Sequence, residues 1–388
     1  MLKQFIDDFS ISAAFAGIIT FIIGISVSAV LIIEGAQHLG ASPDQVSSWF
    51  LALGISIGLS GAILSWKYKY PVATAWSTPG IALIIASSQH YSLAEATGAF
   101  IACGVLIAIT GFSGIFQKLL AKIPLSLSCA MLAGILLKFG INLFIHLPDQ
   151  WFFTVGTLLS YFILKRVLPR YSIVFMVCIA FILSMIFCHV SFPAFSFQLT
   201  KPIWVTPTFS WQGIIGLAIP LFIVNISSQF LPGIGMIKSY GYTPHTNQLV
   251  GWIGITQTCF APFGAFSVCL AAISAAVSLD HQVHPDPKKR YIAGICCGLC
   301  YIFMGVFALY LTHLLLNLPQ LFITTVAGIA LLGTISHNIA VAFEDTESRD
   351  ASLFTFLLSA SGIQILGIGS AFWGLLFGIL LYKFLSKK

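Results

Sequence analysis

The chain has 388 residues, of which 8% are charged and 58% are hydrophobic, with a net charge of +6 and a mean hydropathy of +0.98. A water-soluble domain carries about 25% charged residues, so this composition excludes ordinary soluble enzymes, fibrous proteins and disordered chains and indicates a protein embedded in a bilayer. The basic residues fall at the ends of apolar segments and form no single run, so no nucleic-acid partner is predicted. The cysteines lie inside apolar stretches, which favours packing over disulfides, a metal site or any cofactor.

A helix needs about 20 mainly apolar residues to cross the hydrocarbon core. Pro, Gly and charged residues divide the chain into twelve such segments and two shorter ones, 72–88 and 264–279. If all fourteen cross and both termini are cytoplasmic, sixteen of the eighteen basic residues lie on the cytoplasmic side, as the positive-inside rule requires. We therefore predict an all-α polytopic protein of the cell (inner) membrane with fourteen transmembrane segments. The twelve long segments are 11–38, 46–66, 92–116, 124–146, 151–167, 171–192, 212–237, 246–262, 290–316, 320–343, 351–368 and 370–386.

The two halves of the chain resemble each other. Gly104 and Gly111 align with Gly298 and Gly305, each 194 residues further on. Because seven segments per half is an odd number, the second half inserts upside down, which gives an inverted repeat of the kind that transporters use. The predicted domains are the first repeat (1–192), a Pro-rich outer linker (193–211) and the second repeat (212–388).

Each of the two short segments breaks near the middle of the membrane. In the first, Pro79 cannot continue a helix but suits the first turn of a new one, which Ser77 or Thr78 can cap, so residues 72–76 are predicted to be extended. The second has the same plan, with a half-helix expected to begin near Ser267. Since helix N-termini attract anions, two that face each other predict an anion site at mid-membrane.

The stretch Thr74–Gly80, which reads TAWSTPG, resembles the signature of the benzoate/proton symporter (BenE) family. Similarity to that family continues in order along nearly the whole chain. The other matching stretches are 228–233, 261–264, 284–291 and 367–374.

The resemblance implies the fourteen-segment fold of nucleobase and sulfate-type anion transporters. In that fold the third and tenth segments carry short strands that lead into half-helices. A core unit (11–116 with 212–316) moves against a gate unit (124–192 with 320–386). The implied function is import of a small aromatic carboxylate with a proton by alternating access. Phe266 and Cys269 depart from the family pattern, which often has His and Asn at these places.

Few side chains in the apolar segments can bind a substrate or titrate. Glu34 and His337 are the candidates for proton coupling. The alternative for Glu34 is a residue at the water-exposed rim of the protein, and the alternative for His337 is a neutral side chain that bonds to a neighbouring helix. Lys138 either extends to the membrane surface or balances an anion, and Ser26 and Ser28 are weaker candidates for substrate contact. The predicted substrate contacts are Trp76, Ser77, Thr78, Gly80, Asn225, Ser228, Gln229, Phe266, Ser267 and Val268.

Two other functions stay open from the sequence. One is a carrier of a nucleobase or an inorganic anion on the same fold. The other, more remote, is a membrane-embedded enzyme, although the acidic cluster at 344–350 has no Gly-rich or basic partner motif. The expected partners are the lipid bilayer, a small aromatic carboxylate and a proton, and a homodimer is compatible with the sequence.

Overall fold

The computed structural model describes residues 7–88, 91–116, 124–145, 148, 151–169, 171–187, 198–271 and 274–385. Its helices are α1 Ile11–His38, α2 Pro43–Tyr68, α3 Thr78–Ser87, α4 Leu93–Phe112, α5 Leu125–Ile145, α6 Trp151–Val167, α7 Ser172–Phe187, α8 Trp211–Ser239, α9 Thr246–Phe260, α10 Ala275–Leu279, α11 Tyr291–Val306, α12 Ala308–Leu316, α13 Gln320–Glu344, α14 Arg349–Ser361 and α15 Ser370–Leu385. Four two-residue strands complete the fold: β1 Thr74–Ala75, β2 Cys269–Leu270, β3 Gln364–Ile365 and β4 Ile368–Gly369.

The helices have the length and the surface of membrane spans. Within the described ranges, six are long and apolar enough to cross a bilayer, or seven if α1, which bends by 42° near its middle, counts as one span. Large apolar side chains on their outer faces are exposed, among them Ile109 and Phe303. A surface of this kind is stable in lipid and not in water. The protein is therefore a mostly helical, polytopic membrane protein.

Several predicted segments end differently in the structure. The predicted span 290–316 is interrupted at Phe307, which separates α11 from α12. The predicted span 351–368 stops being helical at Ser361, because Gly362 adopts φ +68°, and β3 and β4 follow as a hairpin. For the predicted span 171–192, residues 188–192 lie outside the described residues.

Two helix pairs pack with their backbones almost in contact. In the first pair, Gly54 and Gly58 of α2 lie against Gly305 and Gly298 of α11. A Cβ atom added to Gly58 would lie 2.5 Å from the carbonyl oxygen of Gly298, and one added to Gly298 would lie 2.6 Å from that of Gly58. This confirms the close packing that the GxxxG spacing of Gly54 and Gly58 predicts.

The second pair repeats the first with the halves of the chain exchanged. Gly104 and Gly111 of α4 lie against Gly254 and Gly251 of α9. A Cβ on Gly104 would lie 3.2 Å from the Gly254 carbonyl oxygen, and one on Gly111 would clash with the Gly251 backbone. The residues that align 194 positions apart in the sequence thus perform the same packing role in each half.

Candidate functional site

The two discontinuous segments meet in the interior of the protein. Strand β1 pairs with β2 in antiparallel register, with Thr74 opposite Leu270 and Ala75 opposite Cys269. The Ala271 N–H extends this ladder by donating to the Ala73 carbonyl over 2.9 Å. All the paired residues are buried. Irregular backbone at membrane depth is tolerated where it is enclosed by protein or lines a cavity, and here each strand satisfies the other's backbone groups.

Half-helix α3 begins directly after β1, as the sequence predicts. The Ser77 side chain accepts a hydrogen bond from the Gly80 N–H over 3.0 Å and so caps the helix, and the Ser77 carbonyl accepts from Ile81 over 2.9 Å. Pro79 has no N–H to satisfy. Among the described contacts, the Thr78 N–H is the first-turn donor without a partner. One N–H group and the positive end of the helix dipole are therefore available to an anion.

Helix α1 holds the start of α3 through one serine. Ser28 Oγ accepts a hydrogen bond from Trp76 Nε1 over 2.5 Å and another from Thr78 Oγ1 over 3.0 Å. The Trp76 ring packs edge-on against Phe50 and Tyr301 and is only 3% exposed. Trp76 therefore orients the strand-to-helix turn and is enclosed by protein in this conformation. Ser28, a weaker candidate from the sequence, contacts two of the predicted site residues.

The second discontinuous segment corrects one prediction. Within the described residues no helix begins near Ser267: residues 265–268 are neither helix nor strand, β2 follows, and α10 begins at Ala275 and is five residues long. Gln257 of α9 holds the backbone of this stretch by hydrogen bonds. Its Oε1 accepts from the Val268 N–H over 3.1 Å, and its Nε2 donates to the carbonyls of Phe100 and Phe266 over 3.1 and 3.4 Å.

Gln257 is the site residue that the sequence interpretation missed. It is completely buried in a helix that is otherwise apolar on this face. Buried polar groups in proteins are almost always hydrogen-bonded to something specific, so an amide within a membrane span was the available signal. The residue fixes the backbone of the second segment, as Ser77 and Ser28 fix that of the first.

Two of the predicted site residues, Phe266 and Ser267, directly precede β2 in the chain. Phe266 is fully buried, with its ring centroid 5.9 Å from that of Trp49 and 6.3 Å from that of Phe100. Ser267 Oγ is buried and has no hydrogen-bond partner in the described part of the chain. If the register of β1 and β2 continued by two residues, Ser267 would stand opposite Ser77.

Helix α8 borders the junction and contains two π-helical turns, 214–218 and 226–230. Such turns are frequent at functional sites. Asn225 is fully buried and donates to Cys103 Sγ over 3.8 Å, while its Oδ1 has no partner among the described residues. Ser228 and Gln229 are only partly buried, and Ser228 Oγ donates to the carbonyl of Val224 over 2.6 Å. Asn225 thus faces the protein interior, whereas Ser228 and Gln229 are partly exposed.

The remaining predicted residues divide between those near α3 and those away from it. Gly80 packs on Leu221 of α8, with 2.8 Å between an added Cβ and Leu221 Cδ1. Glu34 is partly buried, and its Oε2 has no hydrogen-bond partner within the described ranges. Its neighbour Gly35 packs directly on Ile81 of α3. His337 is exposed on the outer face of α13, and its role stays a prediction.

Comparisons with known proteins agree on one class. The family model described as "Benzoate membrane transport protein" (BenE) matches residues 7–384. "Inner membrane protein YdcO" of Escherichia coli (strain K12) is 38% identical over 371 residues, which cover 96% of this chain and 95% of the relative. "Benzoate membrane transport protein" of Acinetobacter baylyi (strain ATCC 33305 / BD413 / ADP1) is 35% identical over 387 residues, which cover 100% and 98% of the two chains.

Solved structures share the fold at low sequence identity. The overall structure of SLC26A9 superposes with a TM-score of 0.67 at 14% identity over 98% of this chain. This match covers 66% of the SLC26A9 chain, just under two thirds of its length. The transmembrane domain of the cyanobacterial bicarbonate transporter BicA superposes with a TM-score of 0.61 at 13% identity, covering 97% of each chain.

Proposed function

Because the chain belongs to the benzoate membrane transport protein (BenE) family, we propose that it imports a small aromatic carboxylate, benzoate or a close analogue, together with a proton. It is a membrane transport protein and not an enzyme. The observation that carries the proposal is the junction of the two discontinuous segments, where α3 starts beside the strand pair and the Thr78 N–H has no partner among the described residues. A helix N-terminus removed from bulk water favours a carboxylate.

In this proposal the carboxylate binds at the start of α3. It accepts from the Thr78 N–H, and the Thr78 hydroxyl, which is partly exposed, turns from Ser28 towards it. The aromatic ring lies against the π-helical turn of α8, beside Ser228 and Gln229, which are also partly exposed. Phe266 and Trp76 support the two segments from behind.

A proton carried with the substrate removes an electrostatic cost. Moving one negative charge against the membrane potential costs about 2.3 kcal/mol per 100 mV, and a proton cancels that charge. We assign the proton to Glu34, because intramembrane ionisable residues are functional by default and because its neighbour Gly35 contacts α3. His337, on the exposed face of α13, is the second candidate.

The wider architecture belongs to the same proposal. We infer fourteen segments in two inverted repeats (1–192 and 212–388, joined by 193–211), with a core (11–116 and 212–316) that moves against a gate (124–192 and 320–386). The recurrence of the glycine pairs in both halves supports the repeat. The distribution of basic residues supports cytoplasmic termini. A homodimer stays a prediction.

Uptake into proteoliposomes tests the substrate and the coupling together. Radiolabelled benzoate should enter in a saturable manner, faster when the lumen is more alkaline than the medium, and unlabelled uracil should not compete. The rival function, transport of an inorganic anion, is favoured by the fold likeness to a bicarbonate transporter. If bicarbonate or sulfate enters while benzoate does not, with and without the gradient, the proposal is wrong.

A pair of variants tests the location of the site. Thr78→Val keeps the shape of the side chain and removes its hydroxyl, so the KM for benzoate should rise about tenfold, the effect of one hydrogen bond to a charged group. Thr324→Val is the control, because the Thr324 hydroxyl is also partly buried but bonds only within its own helix, to the carbonyls of Gln320 and Leu321. Equal KM values for the two variants would show that the carboxylate binds elsewhere.

A further inference from the structure

A small polar cavity lies at the end of α3 opposite to the proposed carboxylate site. Its volume is about 20 Å³, enough for one water molecule. Half-helix α3 lines one side of it, and α5, α14 and the start of α15 line the other. The polar residues of its lining are Ser87, Lys138, Ser359 and Ser370.

Lys138 is the cation in the lining of this cavity, and much of its side chain is exposed. A Cβ atom added to Gly362 would lie 2.5 Å from Lys138 Nζ, so the ammonium group rests on the backbone at the end of α14. In the described part of the chain, Lys138 has neither an ion pair nor a side-chain hydrogen bond. Ser359, which is only 3% exposed, likewise has an Oγ without a described partner. The cavity thus holds polar groups whose bonding is incomplete.

The location of the charge has an electrostatic reason. Helix α3 ends at Ser87, and α14 ends at Ser361, so the C-termini of both helices converge on the cavity. Each C-terminus carries about half a negative charge, which a nearby cation stabilises. The two helices belong to different units, α3 to the core and α14 to the gate. One lysine therefore lies between two negative helix ends that alternating access would have to separate.

We propose that Lys138 is a positioning residue that holds the end of α3 to the end of α14 and keeps this side of the carrier closed. The inference rests on the division into core and gate made in the proposed function, but not on the identity of the substrate. When the core moves, α3 withdraws from the ammonium group and loses its stabilisation. The charge therefore favours the closed form of this side, and its removal favours the open form.

Labelling of a cysteine reporter tests the proposal without any substrate. In the closed form Ser87 is 6% exposed, so Ser87→Cys in nanodiscs should react slowly with a hydrophilic maleimide. The parent protein, with its native cysteines alone, supplies the background. Adding Lys138→Met should raise the labelling rate about three- to thirtyfold, the range expected when one charge is removed from two helix ends. Lys138→Arg should restore the slow rate.

A second lysine controls for a general loosening of the gate. Lys165 lies at the end of α6, exposed and over the Tyr161 ring, and Lys165→Met should leave the labelling of Ser87→Cys unchanged. If Lys138→Met does not give monodisperse protein, Lys138→Gln against Lys138→Arg makes the same comparison. A labelling rate that is the same with and without the charge at position 138 would overturn the proposal. The labelling assay contains no substrate, so an unchanged labelling rate would not argue against benzoate uptake. Conversely, a failure of benzoate uptake would not change the conclusion from the labelling assay.

Discussion

Gln257 offers the sharpest test of how the second segment is held. Gln257→Met keeps the length of the side chain and removes its amide. The Val268 N–H then loses its acceptor in a fully buried position, at a cost of about 1–3 kcal/mol. The carbonyls of Phe100 and Phe266 lose one donor, which adds about 1 kcal/mol. We therefore expect a total loss of about 2–4 kcal/mol in the free energy of unfolding.

Tryptophan fluorescence during heating, in nanodiscs, measures this loss as a fall of several degrees in Tm. The control is Gln320→Met, since Gln320 is exposed at the start of α13. Uptake should fall in the first variant only, because residues 266–268 lie at the junction of the two segments. A Gln257→Met protein that melts and transports like the control would refute the role of this amide in shaping the site.

Three further results are expected. Ser77→Ala removes the cap of α3 and should cost about 1 kcal/mol of stability, visible as a lower Tm together with a higher KM for benzoate. Glu34→Gln should abolish the acceleration of uptake by a proton gradient while exchange of labelled for unlabelled benzoate continues. Gly298→Ala places a Cβ atom 2.6 Å from the Gly58 carbonyl oxygen and should lower Tm, whereas Gly235→Ala, with open space around it, should raise Tm slightly.

Matched control variants separate local from general effects for Ser77→Ala and Glu34→Gln. Ser92 caps α4 in the same manner as Ser77 caps α3, but in an exposed position. Ser92→Ala should therefore lower Tm without changing KM, and an equal rise in KM for both serines would contradict the assignment of Ser77. Glu95→Gln should leave the gradient effect intact. If gradient-driven uptake survives in Glu34→Gln, another residue carries the proton.

The sequence was most informative where a residue type restricts the backbone by itself. Pro79 and the preceding Ser77 predicted a helix start within the membrane because proline fixes φ and serine caps a first turn. The spacing of Gly54 and Gly58 predicted a close helix contact, and the structure shows that the partner is α11. These inferences needed only local chemistry.

The errors arose where a distant residue decides the local structure. Ser267 looked like a helix start by analogy with Ser77, but Gln257, ten residues earlier, accepts a hydrogen bond from the Val268 N–H and holds the backbone in a non-helical course. The Gln257 contact leaves no periodic signal, and its trace in the sequence is an amide within an otherwise apolar span. The substrate contact of Trp76 stays a prediction; in the structure, Ser28 of another helix accepts a hydrogen bond from its ring nitrogen inside the protein.

The pairing of β1 with β2 has a consequence for what each half of the chain can do alone. One strand comes from each half of the chain, with Ala75 opposite Cys269, so the junction forms only when both halves fold against each other. Under the proposed function, two fragments separated between α7 and α8 would bind the substrate only after they reassemble in a one-to-one ratio.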